Sequence, residues 1–201
     1  MGLRQAILMN ITVKIHGSRN FICRPDTTWE RESRDFYSPE FASELFYTPV
    51  VFARISKAGK CIGRKFAARY YDGLNFGILL YPGEILNAGR PESLGAASIL
   101  DRTSILPFPL FQPVVFATSG NSFSLEKDGK MIYSTSVGTE NFLEMMEDAI
   151  CAASEAVSQR IGDLVAVELA APEILCGKDE KRAGISASFC GNSLFRLSII
   201  K

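Results

Sequence analysis

Two neighbouring apolar segments constrain the fold of this chain most strongly. Residues 50–55 are rich in β-branched side chains and begin directly after Pro49, which is typical of a strand buried on both faces. Residues 74–80 form a second apolar run, and the turn signal Asp72-Gly73 precedes it. We therefore predict two core strands in this part of the chain.

The segment between these strands has a different periodicity. Ile62, Phe66 and Tyr70 are spaced four residues apart, and basic residues occupy the other flank. This spacing predicts an amphipathic helix that directs the three apolar side chains toward the core. After the second strand, Pro82-Gly83 predicts a tight turn.

The second half of the chain alternates strand and helix signals. Asp128-Gly129 separates two alternating segments and predicts a β-hairpin, because both residues tolerate positive φ. Asn141 followed by Glu144 predicts the capped start of a helix that continues to about Ser158. Residues 161–167 and 194–200 predict further strands, so periodicity alone indicates an α+β protein with strands in the majority.

Composition limits the classes of partner. The chain has 201 residues, of which 47% are hydrophobic, and its 22 basic residues balance 22 acidic ones. That balance argues against a nucleic-acid-binding protein and leaves small molecules or proteins as partners. Since no apolar run approaches the length that crosses a bilayer, we expect no membrane partner and a cytoplasmic location.

Four segments, in this order, resemble the fumarylacetoacetate hydrolase (FAH) superfamily. Residues 21–27 resemble its Phe-x-Lys-Pro-x-Ser segment, and residues 39–47 its Pro-x-Phe and Tyr-Glu-x-Glu segments. Residues 66–72 resemble a helix that ends near Tyr-x-Asp, and residues 77–79 a strand that ends in Asp. The likeness covers most of the chain from about residue 21 onward. It implies a mixed β-sheet rolled into a barrel-like core with a few peripheral helices, in a single domain of residues 1–201.

The resemblance also implies a metal site whose ligands this chain lacks. In active relatives two glutamates and a later aspartate bind one Mg²⁺, Mn²⁺ or Ca²⁺ ion, and the matching positions here are Thr48, Val50 and Leu79. A hard divalent cation needs anionic oxygen ligands, and without them its charge stays unpaired in a medium of low dielectric constant. We therefore expect no metal cofactor. The family's catalytic lysine is matched by Ala96, which cannot transfer a proton.

Two polar positions remain as candidate ligand contacts. Arg24 matches the lysine of the Phe-x-Lys-Pro segment and could hold a carboxylate through two parallel hydrogen bonds. Alternatively, Arg24 forms a structural ion pair with Asp26 or Glu44, and the sequence leaves both options open. Tyr47 matches a position beside the metal, although a tyrosine in a strand more often packs with its hydroxyl satisfied.

Other chemically capable residues give weaker signals. His16, the sole histidine, follows the alternating segment 11–15 and is predicted at a surface strand position on the same face as Thr12 and Lys14. It does not match the family's general base. The carboxylates nearest in sequence that could form a substitute metal site lack a clustered spacing, namely Glu40, Glu44, Asp72 and Glu84.

The sequence therefore favours a catalytically silent FAH-like protein that retains at most a pocket for a small carboxylate. A divergent hydrolase, isomerase or decarboxylase acting on keto or enol diacids is the first alternative, with a metal site moved to ligands such as Glu44 or Glu84. A structural subunit of a homo- or hetero-dimer is the second alternative, and the resemblance implies a homodimer.

Overall fold

A computed structural model gives the structure of residues 9–201, the part of the chain described below. Strands dominate it. The helices are α1 (Gly83–Leu86), α2 (Ser93–Ala97) and α3 (Phe142–Ala156), with 3-10 helices at Asp26–Thr28, Arg64–Arg69 and Pro113–Ala117. The strands are β1 (Ile11–Lys14), β2 (Phe21–Arg24), β3 (Trp29–Glu30), β4 (Phe36–Tyr37), β5 (Leu45–Ile55), β6 (Tyr71–Pro82), β7 (Ser104–Ile105), β8 (Ser122–Lys127), β9 (Lys130–Ser136), β10 (Leu164–Glu168), β11 (Glu173–Cys176), β12 (Arg182–Phe189) and β13 (Asn192–Ile200).

The strands form two sheets. The large sheet has the order β2-β1-β10-β5-β6-β7-β3, and β11 also pairs with β5. It is mixed, because β1 runs parallel to β10 and β3 parallel to β7 while its other pairs are antiparallel. The small sheet has the order β4-β13-β12-β8-β9. Consecutive strands of the sequence are therefore often separated in space, so the fold depends on long-range pairing.

β5 and β6 form the centre of the large sheet and confirm the two predicted core strands. They pair antiparallel from Leu45 opposite Pro82 to Ile55 opposite Tyr71. Nearly every residue of both strands is buried, as the apolar runs predicted. Both strands extend beyond the predicted segments, because pairing with neighbours continues through residues that carry no clear signal of their own.

An aromatic core joins the two sheets. Phe76 of β6 stacks on Phe123 of β8, with ring centroids 4.5 Å apart and planes at 13°. It also meets Phe142 of α3 at 5.1 Å and Phe189 of β12 at 4.9 Å, both in edge-on geometry. All four rings are fully buried. This cluster fixes the large sheet, the small sheet and α3 relative to one another.

Two predictions from local sequence are confirmed. Asp128 and Gly129 adopt φ values of 50° and 78° between β8 and β9, as a two-residue hairpin turn requires. At the start of α3, the Glu144 N–H donates to the Asn141 side chain at 3.2 Å, and the Asn141 amide donates back to the Glu144 carboxylate at 3.0 Å. The first of these contacts satisfies a backbone N–H that the first turn leaves free.

Two local predictions need correction. The predicted amphipathic helix at residues 62–70 is instead the six-residue 3-10 helix Arg64–Arg69. With three residues per turn, a four-residue spacing does not keep one face, so Ile62 is buried while Phe66 is 42% exposed. At Pro82-Gly83 the chain enters α1 rather than a tight turn. A Cβ on Gly83 would lie 2.9 Å from the Phe46 ring, so this position requires a glycine.

The predicted fold class is confirmed: the chain is α+β, with a mixed, rolled sheet and a few outer helices. Within residues 9–201, no helix combines the length and the apolar character needed to cross a membrane. The single domain remains a prediction, and residues 1–8 of it lie outside the described residues.

Candidate functional site

One face of the large sheet carries the positions at which the resemblance places metal ligands. Thr48 and Val50 alternate along β5, and Leu79 lies opposite Thr48 on β6. Glu168, the last residue of β10, lies opposite Val50. Because directly paired residues share a face and alternate residues return to it, these side chains and Tyr81 project from the same side. All five residues are at most 3% exposed.

Helices α1 and α2 cover this face. Val50, Leu79 and Tyr81 belong to an apolar cluster that is separate from the aromatic core. Ala97 of α2 is part of this cluster, and the residues of the two helices that pack against it are Ile85, Leu86 and Leu94. Side chains of the chain itself therefore fill the space in front of Val50 and Leu79.

Arg24, at the end of β2, places its guanidinium in this face and is 1% exposed. Its Nη2 donates to the Leu80 carbonyl at 3.0 Å and to the Thr103 hydroxyl at 2.7 Å. Its Nε donates to the Ser98 carbonyl at 3.1 Å. Among the residues that the structure describes, its Nη1 has no hydrogen-bond partner. The guanidinium is thus fixed by three oxygen acceptors and keeps one free donor group.

Tyr81 and Glu168 complete a buried polar cluster, named here the Arg24 cluster. The Arg24 guanidinium lies 4.9 Å from the centre of the Tyr81 ring, within cation–π range. The Tyr81 hydroxyl donates to the Glu168 carboxylate at 2.5 Å. The other carboxylate oxygen accepts the His16 backbone N–H at 3.0 Å. A buried cation and a buried anion are therefore connected through one tyrosine.

Burial controls the protonation of the Arg24 cluster. Burial lowers the pKa of the Arg24 guanidinium, and the nearby Tyr81 and Glu168 side chains oppose that decrease. Arginine nevertheless stays protonated in proteins, so Arg24 supplies a permanent positive charge. Burial also raises the pKa of Tyr81, which keeps its hydroxyl protonated as the donor to Glu168. The cluster is therefore built around one permanent positive charge rather than around a group that transfers protons.

Solved structures share this architecture. The sequence matches no protein-family model and no curated protein. A protein of Yersinia pestis CO92 assigned to the fumarylacetoacetate hydrolase family superposes with a TM-score of 0.76 at 15% identity, over 96% of this chain and 93% of that one. Fumarylpyruvate hydrolase of Pseudomonas aeruginosa, solved with Mn²⁺ and pyruvate, superposes with a TM-score of 0.75 at 16% identity, over 96% and 89% of the two chains. The chain has the FAH fold.

The residues at the positions where the resemblance places metal ligands do not fit a divalent cation. Val50 and Leu79 offer no oxygen from their side chains, and the Thr48 hydroxyl donates to the Ala170 carbonyl at 2.6 Å. The remaining carboxylate of this face, Glu168, already accepts two hydrogen bonds. Mg²⁺ or Ca²⁺ binding requires several oxygen ligands. Across residues 9–201, no three His, Cys, Asp or Glu side chains are grouped closely enough to hold a metal ion.

The structure brings Arg24 into the predicted face of the FAH fold, but with partners that the sequence did not indicate. The ion pair considered with Asp26 or Glu44 is not formed: the guanidinium binds two backbone carbonyls and Thr103. Contact between Arg24 and a ligand remains a prediction.

The structure separates Tyr47 from Arg24. Tyr47 lies opposite Leu80 on β6, and both belong to the aromatic core on the other face of the large sheet. Its hydroxyl donates to the Ile132 carbonyl at 3.3 Å, and burial raises its pKa to about 12. A ligand on the Arg24 face would not reach it. Its predicted ligand contact remains untested.

Three further sequence candidates occupy other positions. Ala96 lies in α2, at the outer side of the covering helices. His16 is exposed as predicted, but in the loop after β1, which ends at Lys14. Thr12 is 1% exposed rather than on the surface, because β1 lies inside the sheet between β2 and β10.

The carboxylates considered for a substitute metal site are dispersed. Asp72 pairs with Arg54 at 2.7 Å on the surface. Glu84 accepts the Ser43 hydroxyl, and the Glu44 carboxylate lies beside Gly83 at the same corner of the molecule. Two carboxylates without a third ligand from the chain do not make a metal site of ordinary composition.

Sequence reasoning missed Tyr81, Thr103 and Glu168 as members of the site. The available signal was the β10 segment, in which Glu168 is an acid at the end of an otherwise apolar strand. A charged residue buried in this way needs a partner, which could have directed attention to Arg24. The side of the sheet to which Tyr47 points could also have been predicted. Tyr47 and Thr48 are consecutive residues of one strand, and consecutive side chains of a strand point to opposite faces.

Proposed function

We propose that this chain is a catalytically silent protein of the FAH fold, in which the Arg24 guanidinium supplies an internal positive charge beside the positions where active relatives hold a metal ion. The observation that carries the proposal is the burial of Arg24, whose guanidinium donates to the carbonyl of Leu80 on β6, the residue that follows Leu79. The cation that these relatives take from solution is replaced by a side chain of the protein.

Two physical arguments support this proposal. A guanidinium fixed by backbone carbonyls cannot exchange its ligands for a substrate, whereas a metal ion with an open coordination position can. In addition, the space that a keto acid would need is filled by apolar side chains from α1 and α2. The chain thus lacks the Lewis acid of the family reaction and a volume for its substrate at these positions.

A turnover assay tests the proposal. The purified protein is incubated with acylpyruvates in the presence of Mg²⁺ or Mn²⁺, with the Pseudomonas aeruginosa fumarylpyruvate hydrolase as positive control. No turnover above the metal-only blank is expected. Metal-dependent turnover that is lost in Glu168→Gln would contradict the proposal. Turnover lost instead in Glu44→Gln or Glu84→Gln would favour a divergent enzyme with a relocated metal site.

A residual ligand of the Arg24 cluster would be a small anion. The free Nη1 group of Arg24 is a buried donor, and a buried unsatisfied donor gains most from an ionised acceptor. Formate and acetate are expected to raise the melting temperature of the wild type more than that of Arg24→Lys. An equal increase in both proteins would exclude Arg24 as the anion contact. Tyr47, on the opposite face, is not part of this proposal.

We further propose a cytoplasmic homodimer. Phe41 and Ile99 are 55% and 59% exposed, and together with Ile85 and Leu100 they line an apolar groove of about 400 Å³. Exposed apolar surface of this kind is typical of protein interfaces. Size-exclusion chromatography with light scattering is expected to give twice the chain mass for the wild type. The double variant Phe41→Ser with Ile99→Ser is expected to give the mass of one chain. A wild-type monomer at high concentration would contradict the proposal.

A further inference from the structure

An open cleft shares none of its lining residues with the Arg24 cluster. It has a volume of about 740 Å³ and is lined by Trp29, Phe108, Arg31 and Arg54, among others. We name this cleft the Trp29 cleft. Its volume is in the range of clefts that bind small molecules, roughly 300–1,000 Å³.

Two aromatic rings form a rigid wall of the Trp29 cleft. The Trp29 and Phe108 ring centroids are 5.5 Å apart with their planes at 59°. The Trp29 indole N–H donates to the Leu106 carbonyl at 2.9 Å, which fixes the ring orientation. Both rings are half-buried, so part of each remains accessible at the cleft. A preorganised wall of this kind favours a flat apolar ring, because little side-chain entropy is lost on binding.

Two guanidinium groups lie over the rings of this wall. The Arg31 guanidinium is 5.5 Å from the Trp29 ring centre, and that of Arg54 is 5.7 Å from the Phe108 ring centre. Arg54 uses one nitrogen for Asp72, whereas Arg31 approaches Glu32 only to 3.8 Å. Since a guanidinium carries five N–H donors, both groups retain donors for a carboxylate.

Acidic residues limit the charge that the Trp29 cleft accepts. Asp26 and Glu32 also line it, so its four charged residues sum to zero. A first negative charge placed against the arginines is attracted, whereas a second one would approach these carboxylates and be repelled. The cleft therefore fits a ligand with one carboxylate better than a diacid.

We propose that the Trp29 cleft binds a flat aromatic monocarboxylate. Its ring packs on Trp29 and Phe108, and its carboxylate accepts hydrogen bonds from Arg31 and Arg54. This ligand differs from a keto diacid in shape and charge, and its site does not overlap the Arg24 cluster. The proposal is independent of whether the chain is catalytically silent.

The test uses the sole tryptophan of the chain, which gives one indole N–H signal in a ¹⁵N–¹H NMR spectrum. Naphthalene-2-carboxylate is expected to shift this signal saturably. The matching carboxamide is expected to bind roughly tenfold more weakly, because it lacks the charge-assisted hydrogen bonds. Naphthalene-2,6-dicarboxylate is also expected to bind more weakly. No saturable shift up to the solubility of the probe would overturn the proposal.

Matched variants locate the contact. Arg31→Gln is expected to weaken binding roughly tenfold, while Arg90→Gln, an exposed arginine outside the cleft, leaves it unchanged. Arg24→Lys should also leave it unchanged, which separates this site from the Arg24 cluster. Phe108→Leu keeps an apolar wall and is expected to weaken binding by a smaller factor. Equal affinity for the acid and the amide, or for wild type and Arg31→Gln, would show that the arginines hold no carboxylate.

Discussion

The two faces of the large sheet differ in chemistry although the same strands build both. On one face, Phe76 contacts rings from the small sheet and α3, and aromatic packing dominates. On the other, an arginine, a tyrosine and a glutamate are buried among aliphatic side chains. The first face holds the fold together, and the second carries the positions at which the resemblance places metal ligands.

The difference shows which part of an enzyme fold can change without losing the fold. The aromatic face joins three elements that are distant in sequence, so its loss would release all of them. The Arg24 face is covered in part by the short helices α1 and α2, and its cluster contains one basic and one acidic side chain. The side chains of the Arg24 face can therefore change while long-range strand pairing stays intact. The following predictions test that contrast, in decreasing order of expected effect.

Phe76→Ala should have the largest effect on stability. It removes a fully buried ring that contacts both sheets and α3, and such a change costs about 4 kcal/mol of unfolding free energy. Urea denaturation followed by circular dichroism measures it. Phe66→Ala, at an exposed ring, is the control and should change stability by at most about 0.5 kcal/mol. Similar losses in both variants would show that the aromatic face does not dominate.

Arg24→Met should cost about 3 kcal/mol, because it leaves Glu168 buried without its nearby cation. The double variant Arg24→Met with Glu168→Gln should recover part of this loss, since the uncompensated charge is removed as well. Arg54→Met breaks an exposed ion pair and should cost at most about 1 kcal/mol. Denaturant titrations of wild type, Arg24→Met, Glu168→Gln and the double variant give the coupling energy. Strict additivity would mean that Arg24 and Glu168 are independent.

Tyr81→Phe should cost about 2 kcal/mol, the contribution of a hydrogen bond to a charged group. The ring remains, so the cation–π contact with Arg24 is preserved and only the bond to Glu168 is lost. Thermal and urea unfolding measure the change. An unchanged stability would indicate that the hydroxyl does not connect the two charges.

The ionisation of Tyr47 should lower the folding stability by a small amount, and only at alkaline pH. Burial raises its pKa to about 12 in the folded protein, against about 10 in an unfolded chain. The unfolded state therefore releases the proton first, and stability that is present below pH 10 is lost as the pH rises toward 12. Tyr47→Phe should unfold less steeply over this interval in a pH titration at fixed urea. Identical titrations would mean that Tyr47 ionises equally in both states.

Local signals predicted much of the fold and little of the candidate site. The Asp128-Gly129 hairpin and the Asn141 cap depend on adjacent residues, so the sequence contains their whole cause. The segment 62–70 was predicted wrongly as a regular helix, because a short spacing pattern does not distinguish a 3-10 helix from an α-helix. Arg24 was identified through the resemblance, but its partners Ser98, Leu80 and Thr103 are remote in sequence.

The sequence by itself determined the central apolar strands, the capped helix and the hairpin, because each is a matter of residue type and short spacing. Only the tertiary structure decided that Arg24 and Glu168 share one buried face and that Tyr47 lies on the other. The physical reason is that sheet order and strand register place residues from distant segments side by side, and burial then makes their charges depend on each other.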